Sequence, residues 1–299
     1  MQTLEPGKQI ALANVLLATD FSPQSDVVLS YAMAIARAYQ SKIFGVHVMP
    51  PEDYLFTAPD LWPSHMEEDK KLQEDAIARL ENELRGVPHE ALFGTGDVWT
   101  VLSRVIGKSD IDLVVVGTHG RTGARKLLLG SIAEKVFRQA TCPVLTVGPN
   151  VSPNPNGEAL FQRILLATDF GRESLAALPF AFYLATGGRS QLTLLHVVDS
   201  DQPAADIEAD DVRASVKCRL EELLAPDVKK MGNVECLVEF SHPFAVREPI
   251  LKVAKNRAAD LIILGARPTH AATATTHLVG TTDQHIVAHA TCPVLTVRA

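Results

Sequence analysis

The sequence predicts an α/β protein made of two tandem copies of one domain, each an open, mostly parallel sheet covered on both faces by helices. Three observations predict it. Short apolar runs rich in Val, Ile and Leu alternate with segments of helical periodicity, the pattern of strands buried on both sides. Landmarks in the first half return in the same order in the second. Between the halves lies GPNVSPNPNGEAL at 148–160, whose Pro, Gly and Asn favour turns over a packed element.

The repeat is read directly. VLLATDF at 15–21 returns as ILLATDF at 164–170, 149 residues on. GVHV at 45–48 is matched by LLHV at 194–197, VVVG at 114–117 by IILG at 262–265, and ATCPVLTV at 140–147 by an identical stretch at 290–297. A repeat this long is a whole domain, not a solenoid unit. The boundary is expected near Asn154, giving domains over 1–153 and 154–299.

Each element of the first half has its own signal. Asn14–Thr19 is a short apolar run, read as a buried strand. Ser22-Pro23 offers a helix N-cap with proline at the first helical position. Val28, Tyr31, Ala32, Ile35 and Ala36 then recur at helical spacing. Lys42–Met49 reads as a strand, Asp69–Glu83 as a helix polar on one side, and His89–Phe93 as a strand. Val98–Ile106 reads as a helix, Asp112–Gly117 as a strand, Ser131–Ala140 as a helix and Val144–Val147 as the last strand. The same order can be traced in the second half.

Composition narrows the function classes. The chain has 299 residues, is 46% hydrophobic and 21% charged, and carries a net charge of −7. That charge disfavours a general nucleic-acid-binding surface. No run approaches the length of apolar residues that a membrane span needs, and the first residues lack the pattern of a signal peptide. Of the four cysteines, none forms a CxxC pair, and Cys142 and Cys292 sit in apolar segments. Free thiols and a cytoplasmic location are therefore expected.

The segment richest in chemistry is GTHGRTGARKLLLGS at 117–131. Glycines after a parallel strand let the backbone turn and approach a ligand, and a helix start supplies N–H groups to an anion. The competing reading is structural: Ser131 and Glu134 fit a capping box, and Gly117 and Gly120 shape a turn. The loop is neither a Walker A motif nor, since it does not follow the first strand, a dinucleotide fingerprint. Asp20 and Asp169 end the first strands of the halves, where a carboxylate can meet ribose hydroxyls or cap the next helix. His47 and His196 end the second strands and read first as buried structural histidines. His285 and His289, four apart, offer a metal pattern that no nearby cysteine or carboxylate set completes. The segment 50–68, with Tyr54, Phe56, Trp62 and His65, reads as a lid, a partner surface or an ordinary loop.

Taken together, VLLATDFS, GVHV, VVVGTHG, GARKLLLGS and CPVLTV resemble the universal stress protein family, and the second copy repeats four of the five pieces. The resemblance implies five-stranded sheets of order 3-2-1-4-5 and an ATP ligand, with Mg²⁺ or Mn²⁺ allowed at its phosphates. The family's ATP-binding class carries G-x2-G-x9-G-[S/T], matched here by Gly117, Gly120, Gly130 and Ser131. By likeness, Asp20 meets ribose, the Val48 backbone faces adenine, and Gly117, Gly120, Gly130, Ser131 and Ile132 wrap the phosphates. Arg121, Arg125 and Lys126, in the same loop, are read from their charge as helping to neutralise phosphate or as ordinary solvated loop residues. The last strands, Val144–Val147 and Val294–Val297, are expected to pair within the chain, which covers two exposed edges. A homodimer and a signalling partner are also allowed. The second loop departs from the pattern: Pro268 replaces the second glycine, and proline offers no N–H. The implied function is a nucleotide-dependent stress or signalling switch working mainly through the first half. A slow ATPase and a scaffold with vestigial sites are the alternatives.

Overall fold

The computed structural model describes residues 10–49, 62–118, 130–153, 160–188, 190–199, 207–242, 245–266 and 282–299. The first half runs β1 (Asn14–Thr19), α1 (Pro23–Tyr39), β2 (Lys42–Met49), α2 (Trp62–Glu83), β3 (His89–Thr95), α3 (Val98–Lys108), β4 (Leu113–Gly117), α4 (Ser131–Gln139) and β5 (Val144–Val147). The second runs β6 (Arg163–Ala167), α5 (Arg172–Ala176), α6 (Leu178–Gly188), β7 (Gln191–Asp199), α7 (Ile207–Glu222), α8 (Pro226–Lys230), β8 (Val234–Ser241), α9 (Arg247–Asn256), β9 (Leu261–Gly265), α10 (Thr282–His289) and β10 (Val294–Val297).

The strands form one sheet in the order β3-β2-β1-β4-β5-β10-β9-β6-β7-β8. Each half thus has the order 3-2-1-4-5, and pairing within each half is parallel. The halves meet where β5 pairs antiparallel with β10, Leu295 opposite Leu145. Neither terminal strand is left as an open edge. Arg298 reinforces the join by donating to the Phe137 carbonyl in the last turn of α4. A guanidinium suits that end of a helix, where carbonyls lack partners and the dipole is negative. Thr296 Oγ1 donates to the Val144 carbonyl at 3.3 Å, and Asn150 Nδ2 to that of Ala288 at 3.3 Å.

Strand alternation sorts the core into layers. Val15 and Leu17 face one side of the sheet with Ile164, Leu166, Leu261 and Ile263, in a single cluster that crosses from one half to the other. Helices α1 and α6 cover it, and Tyr39 of α1 stacks on Tyr183 of α6 at 5.7 Å. Burial pushes the Tyr39 hydroxyl up to about 12. The other face is divided: Leu16, Val114 and Val116 pack under α3 and α4, whereas Leu165, Ile262 and Leu264 pack under α9 and α10.

Several element ends differ from expectation. Helix α2 begins at Trp62, so the stretch read as loop already contains its first turns. In the second half, the helix after β6 is broken into α5 and α6 around Ala177. Pro179 explains the break, since its ring removes an N–H and crowds the preceding turn. Helix α4 is capped by Gly130, with Ser131 its first residue and no side-chain cap. Ser131 is therefore not the cap of a capping box.

Candidate functional site

In an open parallel sheet, loops at the carboxyl ends of the strands surround a crevice where the strand order reverses. Here β1 lies between β2 and β4, and the crevice opens at Asp20. A cavity of about 200 Å³ lies there, and its wall includes Asp20, Val48, Gly117, Gly130, Ser131 and Ile132. Six of the eight sequence-predicted residues are thus brought together from four separate elements. Gly120 and Arg121 lie outside the described residues.

The turn after β1 is built from short polar bonds. Asp20 Oδ1 accepts the Ser22 N–H at 3.0 Å and the Ser25 hydroxyl at 2.6 Å. The Ser22 side chain caps α1. Phe21, between them, takes a left-handed φ of 60°, which costs a bulky residue of order 1–3 kcal/mol unless its surroundings enforce it. They do. The Phe21 N–H donates to Thr19 Oγ1 at 3.0 Å, and its ring stacks on His47 at 4.4 Å with the Arg79 guanidinium 4.4 Å from its centroid. His47 is buried and donates Nδ1–H to the Thr19 carbonyl at 2.9 Å. The donor role follows because a carbonyl only accepts. His47 is the structural histidine of the expectation, and it fixes the strand end that presents Asp20.

The glycine-loop ends converge as well. Thr118 N–H donates to the Val147 carbonyl at 3.1 Å, and Gly130 N–H donates to the Thr118 carbonyl at 2.8 Å. That second bond pins the start of α4 beside the end of β4. The first helical bond of α4 runs from Glu134 N–H to the Gly130 carbonyl, so by helix geometry the N–H groups of Ser131, Ile132 and Ala133 have no partner inside the helix. Where α1 and α3 use Ser22 and Asp97 as side-chain caps, α4 has glycine. An uncapped first turn at the floor of a crevice is suited to an anion. Apolar walls come from Val46, Val98, Leu102 and Val116.

The second half repeats the turn except for the side-chain cap, since Gly171 stands where Ser22 does. Asp169 Oδ1 accepts from Gly171 N–H at 2.8 Å and Ser174 Oγ at 2.7 Å. Phe170 has φ 59°, its ring lies 4.7 Å from His196, and the Arg219 guanidinium lies 3.9 Å from its centroid. His196 donates to the Thr168 carbonyl at 2.7 Å. This Arg–Phe–His stack was missed in the sequence, although the shared Asp-Phe-x3-Ser of DFSPQS and DFGRES marks its centre. Also missed were Asp112 and Asp260, which accept two backbone N–H groups each at the opposite end of β1 and β6. His285 and His289 stack on one another at 4.0 Å. Among the described residues no group of three or more His, Cys, Asp or Glu side chains is placed to hold a metal.

The comparisons with known proteins bear on the doubled fold. The universal stress protein family model matches residues 12–148 and again residues 160–298. A universal stress protein of Methanocaldococcus jannaschii is 29% identical over 136 residues, covering 44% of this chain and 80% of its own. One from Thermus aquaticus is 35% identical over 138 residues, covering 44% of this chain and 96% of its own. The crystal structure of a universal stress protein from Archaeoglobus fulgidus aligns over 95% of this chain and 98% of its own, with a TM-score of 0.67 and 21% identity, a likeness of fold. With one family matched twice along its length, the chain belongs to the universal stress protein family, as two tandem copies.

Proposed function

We propose that the chain is an adenine-nucleotide-binding switch in stress or signalling. Its working site is the first-half cavity, in a domain over 1–153 followed by a second over 154–299. The observation that supports it is the convergence of Asp20, Val48, Gly117 and the uncapped start of α4 on one crevice. In this reading the Asp20 carboxylate accepts from ribose hydroxyls and the Val48 backbone faces the adenine edge. The first-turn N–H groups of α4 and the Ser131 hydroxyl hold phosphate, with Gly120 and Arg121 completing the loop. The phosphates themselves supply the ligands of any Mg²⁺ or Mn²⁺.

Chemistry at this site is limited by its wall. Among the described lining residues Asp20 is the sole titratable side chain, and ribose occupies it. A second group to activate water is not among them, which favours binding over hydrolysis. Nucleotide then acts by stabilising the conformation that binds it.

Ser131→Glu tests the reading. A carboxylate in the first turn of α4 favours the helix by about 0.3–1 kcal/mol while occupying the place of a phosphate. Calorimetric titration is expected to show ATP binding to the unaltered chain. In the variant affinity falls on the order of a hundredfold, with an equal or higher urea midpoint. Unchanged ATP affinity in the variant would rule the site out. Sustained ADP formation by the unaltered chain would turn the switch into an ATPase.

A further inference from the structure

The second half contains a cavity of about 540 Å³ that the function above does not use. The same elements wall it: the ends of β6, β7 and β9, with α9 and α10. By the repeat, Asp169 stands where Asp20 does, Val197 where Val48 does, and Ile250 where Leu102 does. Since the Asp–Ser–His frame around Asp169 is also rebuilt, the end assigned to base and ribose is intact. Phe137, reaching across from α4, adds an aromatic wall that the described lining of the first cavity lacks. Flat aromatic and aliphatic surfaces with a few placed polar groups suit a heterocyclic base.

Among the described residues the opposite end is more acidic than in the first cavity. Glu173 replaces Gln24, and Asp283 replaces Ala133 in the first turn of α10; α4 has a first-turn carboxylate too, Glu134, but it lies outside the lining of the first cavity, whereas Asp283 lines the second. With Asp199 and Asp169, the described wall carries four carboxylates against one in the first cavity. The Glu173 segment is held close over the strand end: a Cβ on Gly265 would run into the backbone of Glu173 and Ser174. A phosphate entering this end would meet like charge, and such juxtapositions are strongly unfavourable in a partly enclosed site. A neutral ribose, by contrast, finds acceptors for its hydroxyls.

We infer that the second-half cavity binds a nucleoside, base and ribose without phosphate, and discriminates against nucleotides as their phosphate charge grows. The inference rests on the reading of Asp20 and Val48 given above. The chain would then hold two sites of opposite preference, one for ATP and one for its dephosphorylated counterpart.

The experiment uses full-length Ser131→Glu, in which the first site is blocked, and calorimetric titration with adenosine, AMP and ATP. Adenosine is expected to bind one to one, AMP about tenfold more weakly or worse, and ATP below detection. Adding Asp283→Asn, and separately Glu173→Gln, is expected to raise AMP affinity by about tenfold while changing adenosine affinity less than about threefold. Either single variant suffices if the other fails to fold. The proposal is overturned if Ser131→Glu binds no adenosine, if it binds ATP as tightly as adenosine, or if neither neutralising variant improves AMP. Failure of the first-site reading looks different: the unaltered chain would bind no ATP, or bind it with an affinity that neither Ser131→Glu nor Asp20→Ala changes. Failure of the present inference leaves the loss of ATP affinity in Ser131→Glu intact and shows in the adenosine and AMP titrations of that variant.

Discussion

Phe21 and Phe170 hold a left-handed backbone that aromatic residues seldom adopt, and each is clamped between a histidine and an arginine. The clamp sets the angle at which Asp20 and Asp169 leave their strands. His47→Phe keeps the ring but removes its bond to the half-buried Thr19 carbonyl. The expected loss is about 0.5–1.5 kcal/mol in urea unfolding, and, under the proposed nucleotide reading, ATP affinity falls with it because Asp20 shifts. An unchanged midpoint would mean the bond is not structural. Thiol reactivity is a second residue-scale property. Burial pushes the thiols of Cys142 and Cys236 up to about 11 and that of Cys292 to about 12, so at pH 8 their thiolate fractions are roughly one in a thousand or less. Cys218 is exposed. A disulfide reagent at pH 8 should therefore modify Cys218 quickly in the native chain and all four cysteines in denaturant. Rapid native labelling of Cys292 would contradict the packing.

At the scale of elements, the decisive contact is the four-residue strand β5 against its twin β10. Leu145 and Leu295 face each other there and are both buried. Leu295→Ala is expected to cost about 2–5 kcal/mol, the range for emptying a core leucine site. A loss well under 1 kcal/mol would show that the join contributes little. Element boundaries were legible where a residue's chemistry forces a start or stop: Ser22-Pro23 fixed the beginning of α1, and the Val-Leu-Thr-Val runs marked β5 and β10. They were less legible where tertiary packing decides. The aromatic, proline-bearing lead into α2 gives no apolar stripe, so its first turns from Trp62 read as loop. The cavity residues were found because glycines and an aspartate at strand ends have a reason to be there. The Arg79–Phe21–His47 stack was not, because its members come from three elements and no local pattern joins them.

For the molecule as a whole, one apolar layer runs unbroken from Leu12 in the first half to Val297 in the second. The two halves therefore cannot unfold without exposing each other's core. Urea unfolding followed by fluorescence and by circular dichroism should give one coincident transition. Two separated transitions would mean that the shared layer does not couple them.

Joining the twin strands inside one polypeptide also changes what mutation can do. When two identical chains pair through the same strands, every substitution appears on both sides of the symmetry axis, and the two crevices are bound to change together. Here a single codon alters one crevice and spares the other. Asp283 lines one cavity while Ala133 keeps its place at the other. The antiparallel seam thus preserves the geometry of a symmetric pair while releasing its halves from the obligation to be alike.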